Sequence, residues 1–410
     1  MGSSMQRSGN PGLKALQPYP FERLRRLLED VSAPDTVTPV ALSIGEPQHP
    51  TPAFLTETLI HHSAQSLGRY PATIGIPALR EAIAEWLINR FQLNPQNIDF
   101  NKNILPASGT REALFSVTQA LLDAQQKPAV LMPNPFYQIY EGAALLAGGE
   151  PVFLNTTEAG DQLPDLDAVS QSLWQRCGII YLCSPGNPNG RVIPQAFWDR
   201  LFAIQEQHGF IIAADECYSE LYRDEDKPPL GLLQAAEAAG RDRFEGCLVF
   251  HSLSKRSNAP GLRSGFIAGD ENLIQAFGRY RTYQGCAQPL HVQQTSIAAW
   301  QDEAHVKANR TAYREKFAMA ARLIQPRQAY REPEAGFYIW LPVPGGDDED
   351  FTRRLFEQTG ITVLPGRYLS RDTAEGNPGA GYVRIALVAE PGICEDALQR
   401  MADFLSRETR

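Results

Sequence analysis

Apolar and polar positions follow two periods along the middle of the chain. Unbroken apolar runs at Ala129–Met132, Pro151–Leu154, Gly178–Cys183, Phe210–Ala214, Cys247–His251 and Gly265–Gly269 read as β-strands. Between them, Arg111–Leu122 repeats Leu114, Val117 and Leu121, and Phe197–Gln207 repeats Phe197, Leu201 and Ile204. That is the spacing of helices with one apolar face. A strand without polar alternation is covered on both faces, so an α/β fold is expected, with a mostly parallel central sheet between helices. The chain ends differ. Val292 to Leu323 carries continuous helical periodicity without proline. Strands are expected after it at Phe337–Leu341, Thr362–Leu364 and Tyr382–Val388, with helices at Asp350–Thr359 and Glu395–Ser406. The amphipathic stretch Phe21–Asp30, with Phe21, Leu24, Leu27 and Leu28 on one side, has the C-terminal part as its natural neighbour. The expected division is a large domain at 41–289 and a smaller α+β domain from both chain ends, 1–40 and 290–410.

Composition narrows the function classes. With 43% apolar and 21% charged residues in 410, the chain is an ordinary globular sequence and not a disordered one. Its net charge of −9 gives no overall attraction for nucleic acid or an anionic membrane. Six cysteines lack C-x-x-C spacing and read as reduced thiols of a cytoplasmic protein. The seven histidines form neither H-x-x-x-H nor H-x-H, so no metal site is expected. No apolar run is long enough to cross a membrane. Met1 to Gly12 reads as a floppy arm and not as a signal peptide.

In open α/β sheets, ligands bind beyond the carboxyl ends of the strands. Four of the expected strands run directly into chemistry there: Pro133-Asn134-Pro135-Phe136-Tyr137, Ser184-Pro185-Gly186-Asn187-Pro188-Asn189-Gly190, Asp215-Glu216-Cys217-Tyr218 and Ser252-Leu253-Ser254-Lys255. Asp215 follows four apolar residues, so it starts out buried and needs a donor or cation. A turn cap would satisfy it, and so would a pyridinium N–H. Lys255 is one of seven lysines beside 31 arginines, and it directly follows a strand. It is either a solvated loop lysine or an amine desolvated enough to attack a carbonyl. Arg263 sits between Gly261 and Gly265, where the backbone can approach a phosphate. Ser108-Gly109-Thr110-Arg111 opens a helix, either as a plain cap or as an anion site. Alternation around Arg384 places it opposite Val383 and Ile385, either facing water on an edge strand or clamping a carboxylate.

Taken together, Ser252-Leu253-Ser254-Lys255, Gly261-Leu262-Arg263, Asn187-Pro188-Asn189-Gly190, Asp215-Glu216-Cys217-Tyr218, Gly45-Glu46-Pro47 and Tyr70…Gly75…Leu79-Arg80 resemble the class I/II aminotransferases. These are pyridoxal-phosphate enzymes of fold type I, and the likeness runs in the family's order from about residue 40 to 390. Asn189 departs from the family's usual threonine, but it too can cap a turn. The resemblance implies pyridoxal 5′-phosphate as cofactor and an amino acid with a 2-oxo acid as substrates. Lys255 would bond the cofactor and later move the substrate proton. Asp215 would pair with the ring nitrogen, Asn187 and Tyr218 with the ring oxygen, and Tyr137 would stack on the ring. Gly109, Thr110, Arg111, Ser252, Ser254 and Arg263 would hold the phosphate. Tyr70 would reach the phosphate of a neighbouring subunit, making the active unit a homodimer. Arg384 would take the substrate α-carboxylate, beside Asn187, with Gly45 lining the pocket.

Longer stretches are similar to the bacterial succinyldiaminopimelate aminotransferases: Leu16-Gln17-Pro18-Tyr19-Pro20-Phe21-Glu22, the run from Pro133 to Gly142, that from His251 to Asn258, and Tyr368-Leu369-Ser370-Arg371-Asp372. The implied reaction joins N-succinyl-LL-2,6-diaminopimelate and 2-oxoglutarate, in lysine and diaminopimelate biosynthesis. Acetylornithine is the chemically close alternative. Arg26, Arg111 and Arg367 are the candidates for the distal carboxylates. Two rivals stay open at this point. A lyase or decarboxylase would share the fold. A cofactor-sensing regulator would need a DNA-binding module, and the roughly 40 residues before Gly45 hold one short helix and no helix-turn-helix pair.

Overall fold

The computed structural model describes residues 9–408. The expected arm at Met1 to Gly12 therefore lies outside the described residues up to Ser8; beyond it Asn10 caps a 3₁₀ turn at Pro11–Lys14.

The central sheet has seven strands: β1 (Ile104–Ala107), β2 (Ala129–Asn134), β3 (Glu150–Asn155), β4 (Cys177–Cys183), β5 (Ile211–Asp215), β6 (Cys247–Ser252) and β7 (Gly265–Gly269). Their order is β1-β7-β6-β5-β4-β2-β3, and β7 alone runs against the others. The absence of polar alternation now has its explanation. Leu131, Ile180, Ile212 and Val249 pack into one apolar cluster with Leu79, Trp198, Leu201, Leu232 and Ala299 from helices on that side. Their neighbours Val130, Ile179, Ala213 and Leu248 pack into another with Leu114, Val117, Tyr140 and Phe277 from helices on the opposite side. Both faces are dry, so both parities of each strand are apolar. Each expected strand is present, with ends shifted by at most two residues, and β1 adds an edge.

A separate core holds Leu42, Phe317, Ile339, Phe351, Ile385, Met401 and Phe404. It surrounds a three-stranded antiparallel sheet of β8 (Tyr338–Pro342), β9 (Leu364–Pro365) and β10 (Tyr382–Ala386), with β10 in the middle. The N-terminal helix Pro20–Leu27 docks here, through Leu24 against Trp340, Leu364 and Tyr368. The Arg353 guanidinium also donates to both Asp30 carboxylate oxygens, at 2.7 and 3.0 Å.

Two expectations need correction. The helical stretch from Val292 to Leu323 is two helices, Leu290–Gln301 and Ala304–Leu323. Asp302 breaks it, because its carboxylate accepts from the His305 backbone N–H at 2.9 Å and so starts a new helix. The strand expected at Thr362–Leu364 is likewise divided. Ile361–Thr362 pairs in parallel with Val40–Ala41, and Leu364–Pro365 pairs with β10, so the chain changes sheets at Val363.

Candidate active site

The carboxyl ends of β2, β4, β5 and β6 open into a cleft of about 560 Å³ that is closed on its other side by residues of the smaller sheet and the N-terminal segment. Asp215 is the last residue of β5 and is only 4% exposed. Its Oδ2 accepts from the Tyr140 hydroxyl at 2.8 Å and its Oδ1 from the Cys217 backbone N–H at 3.3 Å. No lysine, arginine or histidine forms an ion pair with it among the described residues. Burial pushes its carboxyl above the usual carboxylate range, against the pull of those donors.

Lys255 sits in the one-turn helix Leu253–Arg256 that follows β6. Its Nζ donates to the Gly45 carbonyl at 2.5 Å. Burial lowers its pKa to about 8; the Arg384 charge works in the same direction, while Glu46 and Asp215 oppose it. The chain can pass this close only because residue 45 is glycine: a Cβ there would overlap the Tyr338 hydroxyl.

Arg384 lies on the central strand β10 and not on an edge, and it is 4% exposed. Its guanidinium donates to Asn187 Oδ1 at 3.0 Å and to the Ser43 carbonyl at 2.8 Å, and stands 4.3 Å over the Tyr338 ring. It has no carboxylate partner among the described residues, so part of its donor fork is free for one. Tyr218 is buried, with its hydroxyl 3.2 Å from that of Tyr338, and burial pushes the phenol up.

Below Lys255, the start of helix Thr110–Leu121 meets Arg263. Gly109 precedes that helix with φ +87°, and a Cβ there would strike the Arg263 guanidinium. Arg263 is itself left-handed (φ +52°) and donates to the Pro260 and Ser108 carbonyls at 2.9 and 3.3 Å. The Ser252 hydroxyl donates to Ser254 Oγ at 2.9 Å, and both serines line the cleft with Thr110. Backbone N–H groups at a helix start, two hydroxyls and a guanidinium suit a phosphate.

Thus Gly45, Thr110, Arg111, Tyr137, Asn187, Asp215, Tyr218, Ser252, Ser254, Lys255, Arg263 and Arg384 converge on one cleft, with Gly109 directly behind Arg263. Tyr70 does not join them. Its side chain is fully exposed on the surface of this chain. Asn189 does cap a turn, accepting from the Arg191 N–H at 3.1 Å. Arg26 pairs with Glu22 in solvent, and Arg367 is occupied by Asp348 and Glu349, so neither lines the cleft. Sequence reasoning missed Tyr140 and Tyr338. Tyr140 was detectable as the residue one helical turn after Tyr137, whereas Tyr338 reads as an ordinary core strand position.

The family model described as "Aminotransferase class I and II" matches residues 37–401. The chain belongs to the class I and II aminotransferases. It is 31% identical over 395 residues to LL-diaminopimelate aminotransferase from Maridesulfovibrio salexigens, covering 95% of this chain and 97% of that one. Among solved structures, an aminotransferase from Neisseria meningitidis superposes with a TM-score of 0.93 at 49% identity, over 97% of this chain and all of that one. Aminotransferase AspB from Helicobacter pylori superposes at 0.86 with 36% identity, over 95% and 98%.

Aminotransferases of this family depend on pyridoxal 5′-phosphate, and the site fits that group. Its pyridinium N–H would answer the buried Asp215, which has no cationic partner among the described residues. Its phosphate matches the donors around Gly109, Ser252 and Arg263. Its aldehyde needs an amine of lowered pKa, which Lys255 provides. When bound, the cofactor supplies a protonated ring that delocalises the electron pair left on the substrate α-carbon.

Proposed function

We propose that this aminotransferase exchanges an amino group between N-succinyl-LL-2,6-diaminopimelate and 2-oxoglutarate, as a cytoplasmic homodimer to which Tyr70 of each subunit contributes at the neighbouring site. The observation that carries the reading is the placement of Arg384. A buried guanidinium with no carboxylate partner among the described residues lines the same cleft as an amine with pKa near 8. An amino acid held by its α-carboxylate on Arg384 would bring its α-carbon under Lys255 Nζ, which then carries the α-proton. Asp215 would hold a proton on the ring nitrogen, and Asn187 would position both Arg384 and the ring oxygen. The diaminopimelate skeleton is supported by the long stretches shared with succinyldiaminopimelate aminotransferases and by the name of the relatives.

A second reading, free LL-diaminopimelate as donor, is favoured by the name those relatives carry and by Glu46. This carboxylate lines the cleft with no hydrogen bond or ion pair among the described residues, and would suit a distal ammonium. A donor panel with 2-oxoglutarate tests both, reading glutamate formed. Succinylated diaminopimelate should outrun free LL-diaminopimelate, acetylornithine and aspartate, with no ammonia or carbon dioxide released. Faster turnover of the free diamine would install the second reading, and release of either gas would indicate lyase or decarboxylase chemistry.

A further inference from the structure

We infer that Arg111, together with the phenols of Tyr19 and Tyr137, forms a carboxylate subsite for the far end of the amino donor. The inference deepens the diaminopimelate reading and rests on it for the identity of the donor.

Arg111 is the second residue of helix Thr110–Leu121, but its side chain does not turn back to the helix start. Its Nε donates to the Tyr137 hydroxyl at 2.7 Å and its Nη2 to the Tyr19 hydroxyl at 3.3 Å. No carboxylate pairs with it among the described residues. The donors then outnumber the acceptors. A guanidinium carries five N–H groups, and two of them are used among the described residues. Each phenol oxygen is accepting from Arg111, so each keeps its own O–H to give. Burial pushes the Tyr137 phenol up, which keeps that hydrogen in place. Three groups with unspent donors line the cleft that also holds Lys255 and Arg384. An anion is what they lack, and a planar fork flanked by two hydroxyls suits a carboxylate.

The partner residue comes from a different part of the chain. Tyr19 precedes helix Pro20–Leu27, and Asn10 ties the segment before it to the large domain by donating to the Leu146 carbonyl at 3.1 Å. Phe21, Leu364 and Leu369 line the cleft as well, so a methylene chain leading to the subsite would meet apolar walls. Arg26 and Arg367 cannot take this role, because carboxylates of the chain already occupy them.

The cofactor phosphate is the other anion Arg111 could hold, and the test separates the two. Straight-chain dicarboxylates of graded length, and monocarboxylates of equal length, are titrated into the holoenzyme by calorimetry. Charge-assisted hydrogen bonds are worth about tenfold or more in affinity, so one dicarboxylate length should bind at least about tenfold tighter than its monocarboxylate. Arg111→Met should reduce that preference to about twofold or less, and Tyr19→Phe, a milder change that keeps the ring, should reduce it by about threefold. Cofactor affinity of Tyr19→Phe should stay within about twofold of the parent, and that of Arg111→Met should fall by well under about tenfold. No preference at any length, or a preference that survives in both variants, would overturn the subsite. A parallel tenfold loss of cofactor affinity in Arg111→Met would do so too, by placing Arg111 on the phosphate. A parent enzyme that shows the preference but does not turn over the succinylated donor would keep the subsite and end the substrate proposal.

Discussion

The Tyr140 hydroxyl donates to Asp215 Oδ2 at 2.8 Å, deep beneath the cleft, where no cation forms an ion pair with that carboxylate among the described residues. Tyr140 in turn stacks on Tyr181, with ring centroids 4.6 Å apart and planes within 4°. The phenol thus holds the acid at the end of its strand and favours its ionised form. Replacing Tyr140 by Phe removes the donor without emptying the space. The Asp215 carboxyl should rise further, the ring nitrogen should hold its proton less firmly, and turnover should fall by about tenfold, as loss of one hydrogen bond to a charged group implies. Steady-state kcat measured against pH would check this, since a merely structural role would lower kcat without moving the profile.

The lowered Lys255 pKa has a direct consequence in the cofactor-free protein. An amine that titrates near pH 8 and not 10.5 is available as a nucleophile at neutral pH. Capture of pyridoxal phosphate, followed by absorbance, should accelerate with pH around a midpoint near 8. The stability effect has a definite sign. The folded pKa lies below the unfolded value, so the unfolded chain binds more protons between about pH 8 and 10.5. Cofactor-free stability should therefore gain from this residue as pH rises through that window. In Lys255→Met the dependence should be shallower, which denaturant titrations at several pH values would show.

Gly109 serves the phosphate cradle through its missing side chain. At φ +87° an alanine is strained, and its methyl would displace the Arg263 guanidinium. Gly109→Ala should cost about 1 kcal/mol or more of stability and weaken cofactor binding by about tenfold. Thermal unfolding with and without cofactor separates the two effects.

Arg384→Gln keeps a polar group but loses the charge and the fork. KM for every amino donor and 2-oxo acid acceptor should rise by about a hundredfold, consistent with the loss of about 3 kcal/mol of charge-assisted hydrogen bonding. The amount of cofactor bound should be unchanged, because Arg384 touches Asn187 and Ser43 and none of the phosphate cradle. Equal effects across donors would mark it as the α-carboxylate receptor.

Most of the central sheet was legible because burial on both faces leaves a continuous apolar run, as in Ile179–Leu182 and Ile212–Ala214. The rim chemistry was legible for a related reason: parallel strands deliver the residues after their carboxyl ends to one edge, so Asn187, Asp215 and Lys255 fall together without further information. Periodicity was blind to choices made by single polar groups. Asp302 ends one helix and begins the next with a hydrogen bond that leaves the apolar period intact. Val363 separates two strands that belong to different sheets, because the pairing partner Val40–Ala41 lies hundreds of residues away in the chain. Arg384 could not be assigned to an edge or a centre until β8 and β9 were seen on its two sides. The fate of Arg26 and Arg367 depended on which carboxylates folded next to them.

Two lysines in this chain have pKa values lowered to about 8, and they separate the central claim from its rival. Lys255 opens into the cleft above Asp215, whereas Lys316 is fully buried and donates to the Leu387 carbonyl at 2.9 Å. Borohydride reduction of the cofactor-loaded enzyme, with peptide mass mapping of the product, fixes where the cofactor is attached. The expected result is one pyridoxyl group per chain, on Lys255. Label on Lys316 or any other lysine, or no covalent label at all, would contradict the assignment of this cleft as the cofactor site.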